Sequence, residues 1–122
     1  MIIQEDDSQA TMQIQRYEPG ALWVNKKCYE HSVIIKPHSI TPWDVQSCAL
    51  LKVQDFESLF NPKVQIILLG TGAKLIVPES SLLRELFKKG IGVEFMDTRR
   101  ACHTFTILAA EQRNVAACIL II

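Results

Sequence analysis

The chain carries no net charge: thirteen Lys plus Arg stand against thirteen Asp plus Glu in 122 residues. A balanced surface does not condense onto a nucleic-acid backbone or an anionic membrane, so nucleic acid is not an expected partner. No C-x-x-C pair is present among Cys28, Cys48, Cys102 and Cys118, and His31, His38 and His103 have no ligand spacing with one another or with the thiols. Metal and cofactor are therefore not expected, and the cysteines read as reduced, small apolar side chains. Long apolar runs are lacking too, since the longest, Val115 to Ile122, is far short of the ~20 residues a membrane helix needs. The first residues carry Glu5, Asp6 and Asp7 in place of a basic start and an apolar stretch. Membrane insertion and export are not expected, which makes the cytoplasm the expected location. Nor does the chain hold G-x-G-x-x-G, G-x-x-x-x-G-K-[ST] or any complete catalytic set.

What is present is a legible architecture. The length is that of one domain, which buries about two-thirds of its unfolded surface. Residues 1–10 are polar, acidic and aperiodic, the composition of a loose tail, leaving 11–122 as a single domain. Three apolar runs, Val64 to Leu69, Ile91 to Met96 and Val115 to Ile122, are separated by two amphipathic stretches, Glu79 to Lys89 and Arg99 to Glu111. This is a β-α-β-α-β unit.

In the first helix Pro78 opens, Leu82, Leu83, Leu86 and Phe87 form an apolar stripe, and Gly90 supplies the C′ residue. In the second, Thr98 reads as N-cap, with Ala101, Cys102, Phe105, Leu108 and Ala109 facing the sheet. If the strands progress in one direction, right-handed crossovers put both helices on one face, and N-terminal strands cover the other. Those strands are signalled by the alternation of Met12, Ile14 and Arg16, the turn at Pro19-Gly20, Leu22 to Val24 before Asn25-Lys26, and Ser32 to Lys36. At Asn25-Lys26 a tight turn strains Lys26, or a wider loop replaces it. The prolines between Pro37 and Trp43 imply an extended loop anchored by Trp43, and Asp55 caps a brief helix from Phe56 to Phe60 that ends at Asn61-Pro62. The fold class is thus α/β: a layered mixed sheet with an added N-terminal β element.

The set Ile67-Leu68-Leu69-Gly70-Thr71-Gly72, Pro78, Gly90-Ile91, Val93-Glu94-Phe95-Met96-Asp97-Thr98, Ala101, Thr104 and Glu111-x-Arg113-x-Val115-Ala116-Ala117 resembles a known family. This is the small single-domain family of unknown function that includes the mitochondrial NADH:ubiquinone oxidoreductase complex assembly factor 3. Val24-Asn25, Tyr29, Ser32, Pro37 and Trp43 extend the likeness along the chain. The resemblance implies a three-layer α/β domain with a central mixed sheet and an assembly helper's role, without an established reaction. Lys26 departs from the family's frequent glycine, and Thr106 from an asparagine common after the aromatic.

Candidate chemistry gathers where the first two parallel strands end, the usual ligand position in open α/β sheets. Gly70, Thr71 and Gly72 can present N–H groups to an anion, or can simply form a turn that needs unusual dihedrals. Asp97, Thr98 and Arg99 can grip the same anion at a helix N-terminus, or Thr98 and Asp97 can serve only the helix end. Cys102 and His103 are helix neighbours about 100 degrees apart, a poor dyad, and Glu111 with Arg113 reads as a structural ion pair. Trp43 is a candidate for an exposed partner-binding patch, against the plainer reading of a loop anchor; burial is expected for Trp23. Two functions follow. The first is a noncatalytic protein-binding or assembly-type domain, favoured by the missing catalytic set. The alternative is a small anion site at the strand ends, with Asp97 as acid or base, which requires an open cleft with convergent donors.

Overall fold

The structure, a computed structural model, describes residues 11–122; the tail expected over residues 1–10 lies outside the described residues. Strands β1 (Ile14–Glu18), β2 (Ala21–Val24) and β3 (Lys27–Tyr29) make a separate antiparallel sheet. Strands β4 (Val33–Lys36), β5 (Ser39–Pro42), β6 (Ile66–Gly70), β7 (Gly92–Met96) and β8 (Val115–Ile119) form the central sheet in the order β5-β4-β8-β6-β7. β6 runs parallel to both β7 and β8, while β4 is antiparallel to β8 and β5. Helices α1 (Ser80–Lys88) and α2 (Thr98–Ala110) connect the parallel strands.

The strand order corrects the expected helix placement. β7 and β8 flank β6, so the chain steps one way through α1 and returns across β6 through α2. A right-handed crossover in each direction puts the two helices on opposite faces. Side-chain alternation agrees: Ile67 and Leu69 join Leu82 and Leu86 of α1 in one core, while Leu68 joins Ala101, Cys102 and Phe105 of α2 in the other. The small sheet lies with α2, through Tyr17, Leu22 and Val24, and not on the helix-free face expected for it. The opposite face is covered by α1, Trp43 and the 3-10 helix Val53–Leu59. The result is three layers around a mixed sheet. β8, fully buried along Val115–Ile119, is apolar at every position because both of its faces meet a core.

Local chemistry explains the other departures. Pro37 to Trp43 is a hairpin arm, not a loop, because β5 is an edge strand: Pro37 sits in the turn and Pro42 turns its missing N–H outward. The 3-10 helix begins at Val53 and Asp55 caps it from inside, accepting the Lys52 N–H at 2.8 Å. On α1 the apolar stripe is broader than the buried face, leaving Phe87 77% exposed. Its C-terminus follows the sequence: Gly90 takes φ +83°, its N–H reaches the Phe87 carbonyl, and the Ile91 N–H reaches Leu86. Trp23 is half-buried, since Leu22 and Val24 take the core side of β2 and the Arg16 guanidinium covers the indole at 4.0 Å.

The Asn25-Lys26 turn is the tight one, with φ of 52° and 69° and Val24 paired to Lys27. Side chains hold it: Asn25 Oδ1 accepts the Gln13 N–H at 2.7 Å, and Gln15 Oε1 accepts the Lys26 N–H at 2.6 Å. A left-handed lysine costs about 1–2 kcal/mol that glycine does not. Lys26→Gly is therefore expected to raise stability by about 0.5–1 kcal/mol after glycine's larger unfolded-state entropy is offset, read as an increased urea midpoint.

Candidate functional site

The parallel strands β6 and β7 end side by side, with Gly70 opposite Met96, and their connections leave to opposite faces. This is the switch point of the sheet. Gly70, Thr71, Gly72, Asp97, Thr98 and Arg99 are all brought to it, but their polar groups are turned mostly on one another. Thr98 is fully buried; its Oγ1 accepts the Gly72 N–H at 2.9 Å and donates to the Leu120 carbonyl at 2.8 Å. The Thr98 N–H donates to the Gly72 carbonyl at 2.8 Å, and the Thr71 N–H to Met96 at 2.9 Å. Thr71, also fully buried, donates its hydroxyl to the Lys74 carbonyl and accepts the Ile76 N–H. The donors that would grip an anion between the glycines are spent inside the protein.

Both glycines serve this closure. A Cβ at Gly70 would lie 3.0 Å from Thr98 Oγ1 and 3.0 Å from Ile119 Cδ1. Gly72 adopts φ +108°, with Ile122 Cγ1 2.7 Å from where its Cβ would stand. Any side chain on either would push the strand ends apart.

The N-cap of α2 is Asp97 rather than Thr98. Its Oδ1 accepts the Arg100 N–H at 2.9 Å, and its Oδ2 lies 3.6 Å from Arg100 Nε. Thr98 is the next residue, turned inward to stitch the chain just beyond β8 to the segment that follows β6. Outside this seal, Arg99, Arg100 and His103 line a cavity of about 600 Å³ with Met96 and Thr104. Arg99 also lies over the Tyr17 ring at 5.6 Å, and burial raises the Tyr17 pKa, which Arg99 partly offsets. The sequence reading missed His103 and Thr104 as neighbours of Arg99 and Arg100. Their i, i+4 spacing on α2 was the available signal.

Trp43 is an anchor, with 6% exposure, its indole N–H on the Asp55 carbonyl at 2.8 Å and its ring 5.5 Å from Phe56. That packing corrects the expectation of an exposed Trp43 patch. Exposed apolar groups are found elsewhere: Leu75 and Val77, 57% and 69% exposed, follow β6, and Phe87 stands on α1. Phe87 borders a groove of about 400 Å³ between α1 and β7, walled by Leu83, Ile91 and Val93 with Ser80 and Arg84. Glu111 and Arg113 do not form the expected pair; the ion pairs among the described residues are Arg16–Glu18 and Asp97–Arg100.

The thiols are free, with Cys28 exposed and Cys48, Cys102 and Cys118 buried. Burial pushes the Cys102 thiol up to about 12 and raises Cys48 and Cys118 as well. Because the thiolate is the reactive form, a soluble aromatic disulfide at pH 8 is expected to modify Cys28 rapidly. The other three should react only as the chain unfolds, read as one fast equivalent and three that appear with denaturant.

No helix among the described residues is long and apolar enough to cross a membrane. The chain is 33% identical over 121 residues to the Danio rerio protein NADH dehydrogenase [ubiquinone] 1 alpha subcomplex assembly factor 3, covering 98% of this chain and 69% of that one. It is 31% identical over 126 residues to the 13 kDa major membrane protein of Francisella tularensis, covering 99% of each. The crystal structure of a Bordetella parapertussis protein superposes with a TM-score of 0.84 at 28% identity, over 93% of this chain and 98% of that one. Residues 14–120 match the family described as "Protein of unknown function (DUF498/DUF598)", and the chain belongs to that family.

Proposed function

We propose that this chain is a noncatalytic protein-binding domain of the assembly-factor type, a soluble cytoplasmic helper that holds a subunit of a larger complex. The observation that carries this reading is the closure of the strand-end crevice by Thr98, where a small-molecule site would otherwise form, beside an apolar groove left open at Phe87. Relatives named as assembly factors of NADH dehydrogenase support the same role and make a subunit of such an enzyme the first partner to test.

The test is a deletion strain examined for assembled membrane NADH dehydrogenase on native gels. Loss of the assembled band, restored by the wild-type chain and not by Phe87→Asp, is expected. Since Phe87 is 77% exposed, Phe87→Asp should change stability by no more than about 0.5 kcal/mol. Unaltered assembly together with a chain that stays monomeric in its own cell would end this reading. A second reading keeps the anion, at the outer wall where Arg99, Arg100 and His103 share a cavity rather than at the Gly70–Gly72 amides. Inorganic phosphate that shifts the Arg99 and His103 signals saturably would favour it.

A further inference from the structure

The two edges of the central sheet are finished differently. At β5 the Trp43 N–H bonds inward to the Ser32 carbonyl at 2.9 Å, so Pro42, one residue earlier, faces outward and has no donor to offer. That edge is blunted, as exposed edges usually are. At β7 the Gly92 N–H bonds inward to the Gln65 carbonyl, and the Met96 carbonyl accepts the Thr71 N–H. The phase of the ladder therefore turns Gly92, Glu94 and Met96 towards β6, and aims the N–H and C=O groups of Val93 and Phe95 away from the sheet. β7 carries no proline, lysine or bulge to protect them; its one charge, Glu94, alternates onto the α2 face and opposes only a like charge set against it.

Grooves lie over this edge on both faces of the sheet. On the α1 face, Val93 forms one wall of the apolar groove with Leu83 and Phe87. On the α2 face, Met96 forms part of the cavity lined by Arg99, Arg100 and His103. A strand laid along β7 alternates its side chains between the two faces. Its apolar residues would enter the first groove, and a carboxylate at the Met96 end would meet Arg99, beside Arg100, which it would share with Asp97.

From this arrangement we infer that β7 is a docking edge for an extended segment of a partner protein, apolar at alternate positions and acidic at an intervening one, added as a sixth strand of the central sheet. The inference rests on the protein-binding reading above and names the surface and the partner's chemistry. Main-chain hydrogen bonds hold such a segment and the two grooves select it. A second copy of this chain fits poorly. Full antiparallel overlap of two β7 strands sets Glu94 against Glu94, a repulsive cross-strand pair, and brings Gly92 rather than an acid to the arginines.

The experiment titrates the 15N-labelled chain with a synthetic peptide in which valine alternates with threonine, one threonine is replaced by glutamate, and lysines close both ends. Saturable shifts at the Val93 and Phe95 amides are expected, with hydrogen exchange there slowed about tenfold or more on binding. A peptide N-methylated on the residues that face β7 should lose binding by at least about tenfold, and this control leaves the folding of the chain untouched. Replacing the peptide's glutamate by glutamine should weaken binding about three- to tenfold at low salt, and the Arg99→Gln, Arg100→Gln double variant should bind both peptides alike. Absence of binding at millimolar peptide overturns the inference, as does equal affinity for the N-methylated peptide. Broadening of β7 amides with protein concentration alone, with a doubled rotational correlation time, overturns it in favour of a second copy. If the edge fails while assembly still depends on the chain, the protein-binding reading stands and its surface lies elsewhere.

Discussion

Thr98→Val is expected to destabilise the protein by about 2–5 kcal/mol, although the substitution preserves shape and removes only a hydroxyl. The hydroxyl is fully buried and joins the Gly72 N–H to the Leu120 carbonyl, so valine leaves one donor and one acceptor without partners where water has no entry. Each such group carries a penalty of about 1–3 kcal/mol. Both belong to the same closure, in which the β6 end, the α2 start and the chain beyond β8 meet, and therefore the loss is concentrated on one cooperative unit. Urea unfolding followed by tryptophan fluorescence measures it, with Thr98→Ser as the control that keeps the hydroxyl and sacrifices only a methyl group, about 1 kcal/mol. A loss below about 1 kcal/mol for valine would mean that the crevice admits water and is open enough for a ligand. The same experiment thus bears on function: a large loss assigns Thr98 to structure, a small one returns the strand ends to consideration as a binding site.

The β-α-β-α-β unit was legible because burial on two faces forces unbroken apolar runs such as Val115 to Ile122, and because Gly90 and the α1 stripe obey local rules. The faces occupied by the helices were not legible. That outcome depends on whether β8 lies beyond β7 or on the far side of β6; the second order leaves β7 at the edge, and the only local trace of it is that Gly92 and Glu94 interrupt β7 where β6 and β8 are unbroken. β5 was misread because proline excludes a strand only where its N–H is needed, and edge position is a property of the assembled sheet. At the strand ends, the residues singled out in the sequence do lie together, but their hydrogen-bond partners were not legible. Thr98 and Asp97 are both good N-caps; what selects Asp97 is that Thr98 Oγ1 has two buried backbone groups to satisfy, one of them supplied by Leu120, far along the chain. The basic cluster and the α1 groove were visible only as helix spacings, since nothing in the sequence says which face remains uncovered.

Trp43→Ala is expected to lower stability by about 3–5 kcal/mol, the range for emptying a large buried aromatic site. The indole packs on Phe56 and donates to the Asp55 carbonyl, so alanine opens a cavity and unpins the segment that joins β5 to the 3-10 helix. Trp43→Phe separates these parts: the ring contact with Phe56 survives while the Asp55 carbonyl loses its donor, and about 1–2 kcal/mol should be lost. Because Trp43 is 6% exposed, neither variant removes a surface that a partner could touch. Any loss of partner binding should therefore follow the unfolded fraction, and Trp43→Phe should bind as the wild type does at temperatures where it remains folded. Phe87→Asp is expected to behave in the opposite way, with its unfolding midpoint near that of the wild type and its partner lost. If fully folded Trp43→Phe lost binding while Phe87→Asp kept it, the docking surface would lie on the Trp43 side of the domain, and the groove beside β7 would have to be given up.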